Sequence, residues 1–273
     1  MEVKFIHKIS KGSRFNKIYV PKQMENVFEV GDIVEVKIIE KNFKLHYSKS
    51  LKQLTPFKVN IIKKIFSSLN MFKEITQIFV IGSFLTKNID YNDVDILVIL
   101  NDQFTDEKVL EKNIYDTLEK NFQLKYHIIM IKENNLLNLS KKCPLTRSML
   151  YYFISNKNYE LTQEKIYDNN HLKYLLMMPE DILEINVNSR VMFDNLRRLV
   201  TIEKFLDNAS LNPLNIDKDT EKVLGNFLSQ YLRNNEQIDD KLKSKVRDII
   251  KLKLINIKNK MKKLKDGQKR KNY

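Results

Sequence analysis

The sequence predicts an α+β protein with a small N-terminal β domain, a central α/β core with a mixed sheet, and a C-terminal helical bundle. Three patterns support this division. Short alternating segments bounded by Gly and Pro fill residues 1–50, two longer apolar runs separated by a turn lie within 51–165, and apolar residues recur every three or four positions through 166–273. Alternation with a period of two is typical of strands, and spacing of three to four is typical of amphipathic helices.

Composition limits the classes of protein to which this chain can belong. The 273 residues are 42% hydrophobic, enough for real cores, and the single cysteine, Cys143, excludes an internal disulfide. The four histidines have no cysteine cluster beside them, so no structural zinc site is expected.

The N-terminus is too charged for a signal peptide and no apolar run is long enough to span a membrane, so we expect a cytoplasmic protein. The net charge of +14 favours a polyanionic partner, with nucleic acid as the expected one.

The first fifty residues predict a small β unit. Val3 to Ile6, Asn16 to Val20 and Ile33 to Ile39 alternate as strands do, and Pro21 to Phe28 can form a short helix between the last two. So short a segment cannot bury a good core by itself. Dimerisation or docking is therefore expected.

This order resembles the swapped-hairpin domain of AbrB-like transition-state regulators, in which a basic strand ends in Val-Pro and Gly-Asp precedes an alternating strand. Val20-Pro21 and Gly31-Asp32 carry the match. The resemblance implies a homodimer that lays basic strands on DNA through Lys11, Arg14, Lys17 and Lys22. These residues could instead form the solvated face of a hairpin that only dimerises or packs on the next domain.

The most informative stretch runs from Ile78 to Leu100. An apolar run meets Gly82-Ser83, and a second run follows Asp93-Val94-Asp95. Because side chains alternate faces along a strand, the two carboxylates point the same way, with Cα atoms about 6.6 Å apart. Carboxylates this close resist full ionisation unless a cation neutralises them, and oxygen ligands favour Mg²⁺ or Mn²⁺. The stretch predicts a strand, a phosphate-binding turn at Gly82-Ser83 (the phosphate turn), and a strand with two metal-binding acids.

Two helices and a third strand are predicted around the stretch from Ile78 to Leu100. A helix opens at Pro56, a second helix is expected from Asp106 to about Phe122, and a third strand from Gln123 to Ile131. Together with Gly-Ser and Asp-hydrophobic-Asp, this order resembles the minimal nucleotidyltransferase core of the DNA polymerase beta superfamily.

The resemblance implies roles for the four signature residues. Gly82 lets the backbone approach an NTP closely, and Ser83 holds one of its phosphates. Asp93 and Asp95 bind the metal that bridges the triphosphate.

The third strand departs from the family's pattern, because it lacks the acid that helps to hold a second metal. Lys125 and His127 share one face there, and Lys125 is the expected occupant of the acid's position. His127 could replace the acid as base or ligand, Asp90 or Asp102 could serve by an unusual route, or the second metal is lost and the enzyme is weak or silent. Lys125 could also pair with Asp95 or contact the triphosphate.

The rest of the chain is predicted to be helical. A short helix at Leu145 to Ile154, followed by a strand at Tyr159 to Leu161, closes the core, and Arg147 either faces the nucleotide or lies on the surface. Further helices are expected at His171–Met178, Glu180–Ile185 after a break at Pro179, Ser189–Leu206, Thr220–Leu232 and Asp239–Lys263. The basic end of the last helix is expected either to contact nucleic-acid phosphates or to be merely solvated, and its candidate contacts are Lys260, Lys262 and Lys263.

Two functions follow from these patterns. The first is a Mg²⁺-dependent transfer of an NMP from an NTP to a hydroxyl of a nucleic acid, a protein or a small molecule. The second is a nucleic-acid-binding regulator with a catalytically degenerate nucleotidyltransferase domain. The missing third acid separates them, and a plain antitoxin or structural dimer is a third possibility.

Overall fold

A computed structural model describes residues 5–36, 43–51, 53–86, 93–122 and 124–270, with side chains described as far as residue 265. The chain divides into two compact units, Met1–Lys41 and Asn42–Tyr273. Among the described residues, no helix is both long and apolar enough to cross a membrane.

The first unit contains little regular structure in its described part, residues 5–36. Ser10 and Lys17 form an isolated antiparallel bridge with two N–O distances of 2.8 Å, and Lys22–Met24 is a single 3₁₀ turn. The three expected strands are absent from the described residues apart from this bridge, and their remaining positions, Val3, Lys4 and 37–39, lie outside the described residues. A strand requires a neighbour, and alternation alone does not provide one.

The second unit is built on one five-stranded sheet, which confirms the α+β class and the mixed sheet. Its strands lie in the order β1-β5-β2-β3-β4, and only β3 and β4 are parallel. The strands are β1 His46–Tyr47, β2 Ile75–Ile81, β3 Val94–Leu100, β4 Tyr126–Lys132 and β5 Ile154–Ser155. His46–Tyr47, placed by the sequence within the N-terminal domain, thus joins this sheet. The expected strand at Tyr159–Leu161 does not form, and β5 lies just before it.

Helices cover both faces of the sheet. Helices α1 (Pro56–Leu69) and α2 (Glu107–Asn121) supply apolar side chains to the core on one face, together with side chains such as Val80 and Ile96. The opposite face has a second core with Phe79, Leu97 and residues of and beside α3 (Glu133–Lys142) and α4 (Pro144–Met149). Strands β2 and β3 read as nearly continuous apolar runs because they are buried on both sides.

Five helices form the C-terminal part of the unit: α5 Asn169–Asp181, α6 Ser189–Leu206, α7 Pro213–Leu224, α8 Asn226–Arg233 and α9 Asp240–Arg270. Helix α6 has the bounds expected from its periodicity, and it packs against α5, α7, α8 and α9. Two expectations were wrong. Helix α5 continues through Pro179, and the helix expected at Thr220–Leu232 is divided at Gly225, where φ is +81°.

Arg147 neither faces a nucleotide nor lies on the surface. Its side chain is buried, and its guanidinium donates hydrogen bonds to the carbonyl oxygens of Ser140, Thr162 and Glu164 at 2.6, 2.9 and 2.9 Å. The planar fork of arginine can reach several carbonyls at once. Arg147 therefore fixes the segment that follows β5 onto α3.

Replacing Arg147 by Met should lower the free energy of unfolding by on the order of 3 kcal/mol, because buried carbonyl groups lose charged donors. Urea denaturation measures this change. Lys141→Met is the matched control, because Lys141 contacts the same segment through a surface ion pair with Glu164 at 2.7 Å and should cost less than about 1 kcal/mol. Equal losses in the two variants would contradict the role given to Arg147.

Candidate active site

The candidate site lies where three strands meet at one edge of the sheet. Strand β2 ends at Ile81, opposite Asp95 in the antiparallel register of β3, and Asp95 lies opposite His127 in the parallel register of β4. Asp93 immediately precedes β3, and Gly82-Ser83 immediately follows β2. The Gly82-Ser83 turn, both acids and the histidine are therefore gathered at one place.

Gly82 is required by two features of this edge. Its φ of +77° and ψ of −159° lie in a region that is essentially open to glycine alone. A Cβ built on Gly82 would also lie 2.0 Å from Oδ2 of Asp95. The turn is thus packed directly against the carboxylate of Asp95, a contact that the sequence pattern did not predict.

Asp95 and His127 form a hydrogen-bonded pair, with 3.0 Å between Oδ1 and Nδ1. Burial raises the pKa of the Asp95 carboxyl and the charge of Asp93 raises it further, whereas the hydrogen bond from His127 lowers it. The burial effect is the largest, and the net shift is upward. An ionised Asp95 carboxylate can only accept a hydrogen bond, so Nδ1 of His127 carries the proton that it donates to Asp95. The His127 side chain is 60% exposed.

The acids suit a divalent cation in number and type. Asp93 is partly exposed, and its charge reaches Asp95. Two carboxylates at a strand end, completed by phosphate oxygens and water, are the usual donors for Mg²⁺. Among the described residues, no group of three His, Cys, Asp or Glu side chains is arranged to hold a metal without such help. Asp93 and Asp95 would therefore hold a divalent cation together with further oxygen ligands, such as phosphate oxygens and water.

Ser83 opens a 3₁₀ turn, Ser83–Leu85, that Thr86 closes. The Thr86 N–H and hydroxyl both donate to the Ser83 carbonyl, at 2.9 and 2.7 Å. Lys58 of α1 lies against this turn, and its Nζ donates to the Thr86 carbonyl at 2.9 Å. Sequence reasoning did not identify Lys58, although its spacing from the buried Ile62 and Ile65 would have placed it on the apolar face of the helix.

The structure places His127 of β4 closer to Asp95 than the sequence alone indicated. His127 lies opposite Asp95, whereas Lys125 precedes β4, is exposed, and accepts a hydrogen bond from the Val94 N–H at 2.9 Å through its carbonyl. Asp102 follows the far end of β3, where its side chain accepts from the Asn134 N–H at 3.1 Å. Asp102 is thus excluded as the third acid, and Asp90 lies outside the described residues.

The basic residues expected to bind nucleic acid differ in whether their side chains are exposed or used in ion pairs. Lys260 is held by Glu203 at 3.2 Å and by Asp207 at 2.6 Å, so its ammonium group is used within the bundle. Lys262 and Lys263 are exposed on α9. The four candidates in the first unit are exposed as well, namely Lys11, Arg14, Lys17 and Lys22.

Asp95→Asn should raise the free energy of unfolding of the nucleotide-free protein at neutral pH. The folded protein holds the pKa of Asp95 above its ordinary value of 3.8, so between the two pKa values the folded state binds more protons and stability falls as pH rises. Asparagine does not titrate. The difference in the free energy of unfolding between the variant and the wild type should therefore increase as the pH rises above 3.8, and then become constant. Urea unfolding across this range measures it. An advantage of equal size at every pH would contradict the assignment.

Comparisons with known proteins found a matching family model and a similar solved structure. Residues 59–152 match the sequence model of the family described as "Nucleotidyltransferase domain". The chain also resembles the crystal structure of a spectinomycin adenyltransferase from Enterococcus faecialis, solved with ATP and spectinomycin, at 12% sequence identity and a TM-score of 0.46, over 77% of this chain and 100% of that one. No curated protein matches the chain significantly in sequence. The matched residues 59–152 include the Gly82-Ser83 turn, both acids and His127, and the match agrees with the nucleotidyltransferase resemblance expected from the sequence.

Proposed function

We propose that the central domain transfers an NMP from an NTP to a hydroxyl acceptor, using Mg²⁺ or Mn²⁺. The observation that carries this proposal is that Asp95 of β3 packs against Gly82, just after β2, and is hydrogen-bonded to His127 of β4. The family match over residues 59–152 supports the same class of reaction.

The nucleotide's triphosphate would lie along the phosphate turn. Ser83 is exposed and can donate its hydroxyl to a phosphate oxygen, and the exposed Lys125, whose carbonyl is bonded to the start of β3, would contribute a positive charge. Asp93 and Asp95 would hold the divalent cation, which when bound neutralises phosphate charge and orients the triphosphate. Asp95 presents Oδ2 toward the turn while Oδ1 remains bonded to His127.

His127 would act as the general base. Asp95 fixes the tautomer by accepting the Nδ1 proton, so Nε2 of the neutral ring is an acceptor on an exposed side chain. Nε2 takes the proton from the acceptor hydroxyl as its oxygen forms a bond to the α-phosphorus. The bond between the α-phosphorus and the bridging oxygen breaks, and pyrophosphate leaves. Histidine in this role replaces the third acid of the family's pattern.

Transfer of α-labelled NMP from each NTP to RNA, DNA or cell extract tests this proposal. The double variant Asp93→Asn with Asp95→Asn should abolish transfer, and His127→Ala should lower kcat by about 10²- to 10⁴-fold, as expected for the loss of a general base. His127→Glu should retain more activity than His127→Ala because a carboxylate can accept the proton. His46→Ala, in the same sheet but on β1, is the control and should leave kcat unchanged.

The alternative function makes a different prediction in the same assay. If the chain is a nucleic-acid-binding regulator with a silent domain, no label is transferred, and binding to RNA or DNA survives the double acid change while weakening steeply with salt. The exposed Lys262 and Lys263 favour this reading, whereas the internal ion pairs of Lys260 do not. Label transfer that is unaffected by the double change would overturn the site proposed above.

We also propose that the first unit is completed by a second copy of itself, as the AbrB-like resemblance implies. Its apolar side chains are largely uncovered: Ile6, Phe15 and Ile33 expose 80, 79 and 100% of their surface. Val34 and Val36 are also exposed, at the alternating positions of an expected strand. Exposed apolar surface of this density is typical of an interface.

The double variant Phe15→Asp with Ile33→Asp should convert a dimer into a monomer, because charges cannot be buried in an apolar interface. Sedimentation velocity of the full chain measures this change. Leu252→Asp with Ile255→Asp is the matched control, since both residues are exposed apolar side chains on α9. A wild-type chain that sediments as a monomer would refute the dimer.

A further inference from the structure

Lys58 is placed where a cation is disfavoured. It is the third residue of α1, whose N-cap is Thr55, and its residue surface is only 7% exposed. The N-terminal end of a helix carries partial positive charge, which repels a lysine, and burial removes the ammonium group from water. Desolvation lowers the pKa of Lys58 accordingly. Its specific contacts must offset both costs.

Two contacts of Lys58 lead to the turn Ser83–Thr86. Nζ of Lys58 donates to the Thr86 carbonyl at 2.9 Å and lies 5.3 Å from the centroid of the buried Phe84 ring. Thr86 in turn bonds to the Ser83 carbonyl through its N–H and its hydroxyl. A continuous series of contacts therefore joins the first turn of α1 to the serine that would bind phosphate.

The turn is fixed at its start by Gly82. Gly82 has a glycine-only backbone conformation and is packed against the Asp95 carboxylate. The position of the turn also depends on the hydrogen bonds made at its other end. Within the described residues, Thr86 is that other end, and Lys58 contacts it from the core of the domain.

We propose that Lys58 is a positioning residue for the phosphate turn, acting through Thr86 without contacting the nucleotide. This inference rests on the proposed nucleotidyl transfer. A residue that only places the turn affects the binding of the triphosphate and leaves the proton transfer by His127 intact. Loss of its ammonium group should therefore raise KM for the NTP while kcat changes little.

Lys58→Met tests the proposal because it keeps the length and the apolar stem of the side chain and removes only the donor. The dissociation constant of a fluorescent ATP analogue in the presence of Mg²⁺ should rise about tenfold, the effect expected for losing one charged hydrogen bond. Amide exchange at Leu85 and Thr86 should become faster. Lys58→Arg retains a charged donor and should recover part of both losses. Lys64→Met, an exposed position of the same helix, should behave as wild type.

The two readouts separate this inference from the proposed function. If the wild-type chain does not bind the ATP analogue, nucleotidyl transfer fails, yet amide exchange still decides whether Lys58 holds the turn. Exchange in Lys58→Met equal to that in Lys64→Met would overturn the inference. A kcat that falls with KM unchanged would also overturn it. If Lys58→Met does not fold, Thr86→Val removes the next hydrogen bond in the series and should loosen the same amides.

Discussion

The carboxylate of Asp95 is the point on which the candidate site depends. One oxygen faces the Gly82 turn so closely that no side chain fits there, and the other accepts a hydrogen bond from His127 at 3.0 Å. A single side chain of β3 thus contacts the end of β2 and the start of β4. Because the register of all three strands is set by their buried apolar faces, the site geometry is a consequence of the core.

Several features of this edge cost stability. A partly buried carboxyl next to a second acid and a buried ammonium group are each unfavourable by themselves. They are tolerated because β2 and β3 are covered on both faces by helices whose apolar residues are almost fully buried. Such a concentration of unfavourable groups over a well-packed core is typical of a functional site.

Several lysines of the C-terminal helices form ion pairs within the bundle, so fewer positive charges face a partner than the composition suggests. Glu203 of α6 accepts ion pairs from both Lys253 and Lys260 of α9, and Lys258 pairs with Glu180 of α5. These contacts tie α9 to the rest of the bundle. The lysines that remain exposed on α9, such as Lys262 and Lys263, are the ones to consider for a polyanionic partner.

Local pattern alone determined the strands around Gly82-Ser83, the two acids and the helix Ser189–Leu206, because periodicity and signature residues are properties of neighbouring positions. Only the tertiary structure decided that His127 and not Lys125 lies opposite Asp95, and that Arg147 and Lys58 are buried donors. Strand register and burial arise from contacts between distant segments. For the same reason, alternation predicted strands in residues 5–36 where the described chain has only the isolated bridge between Ser10 and Lys17.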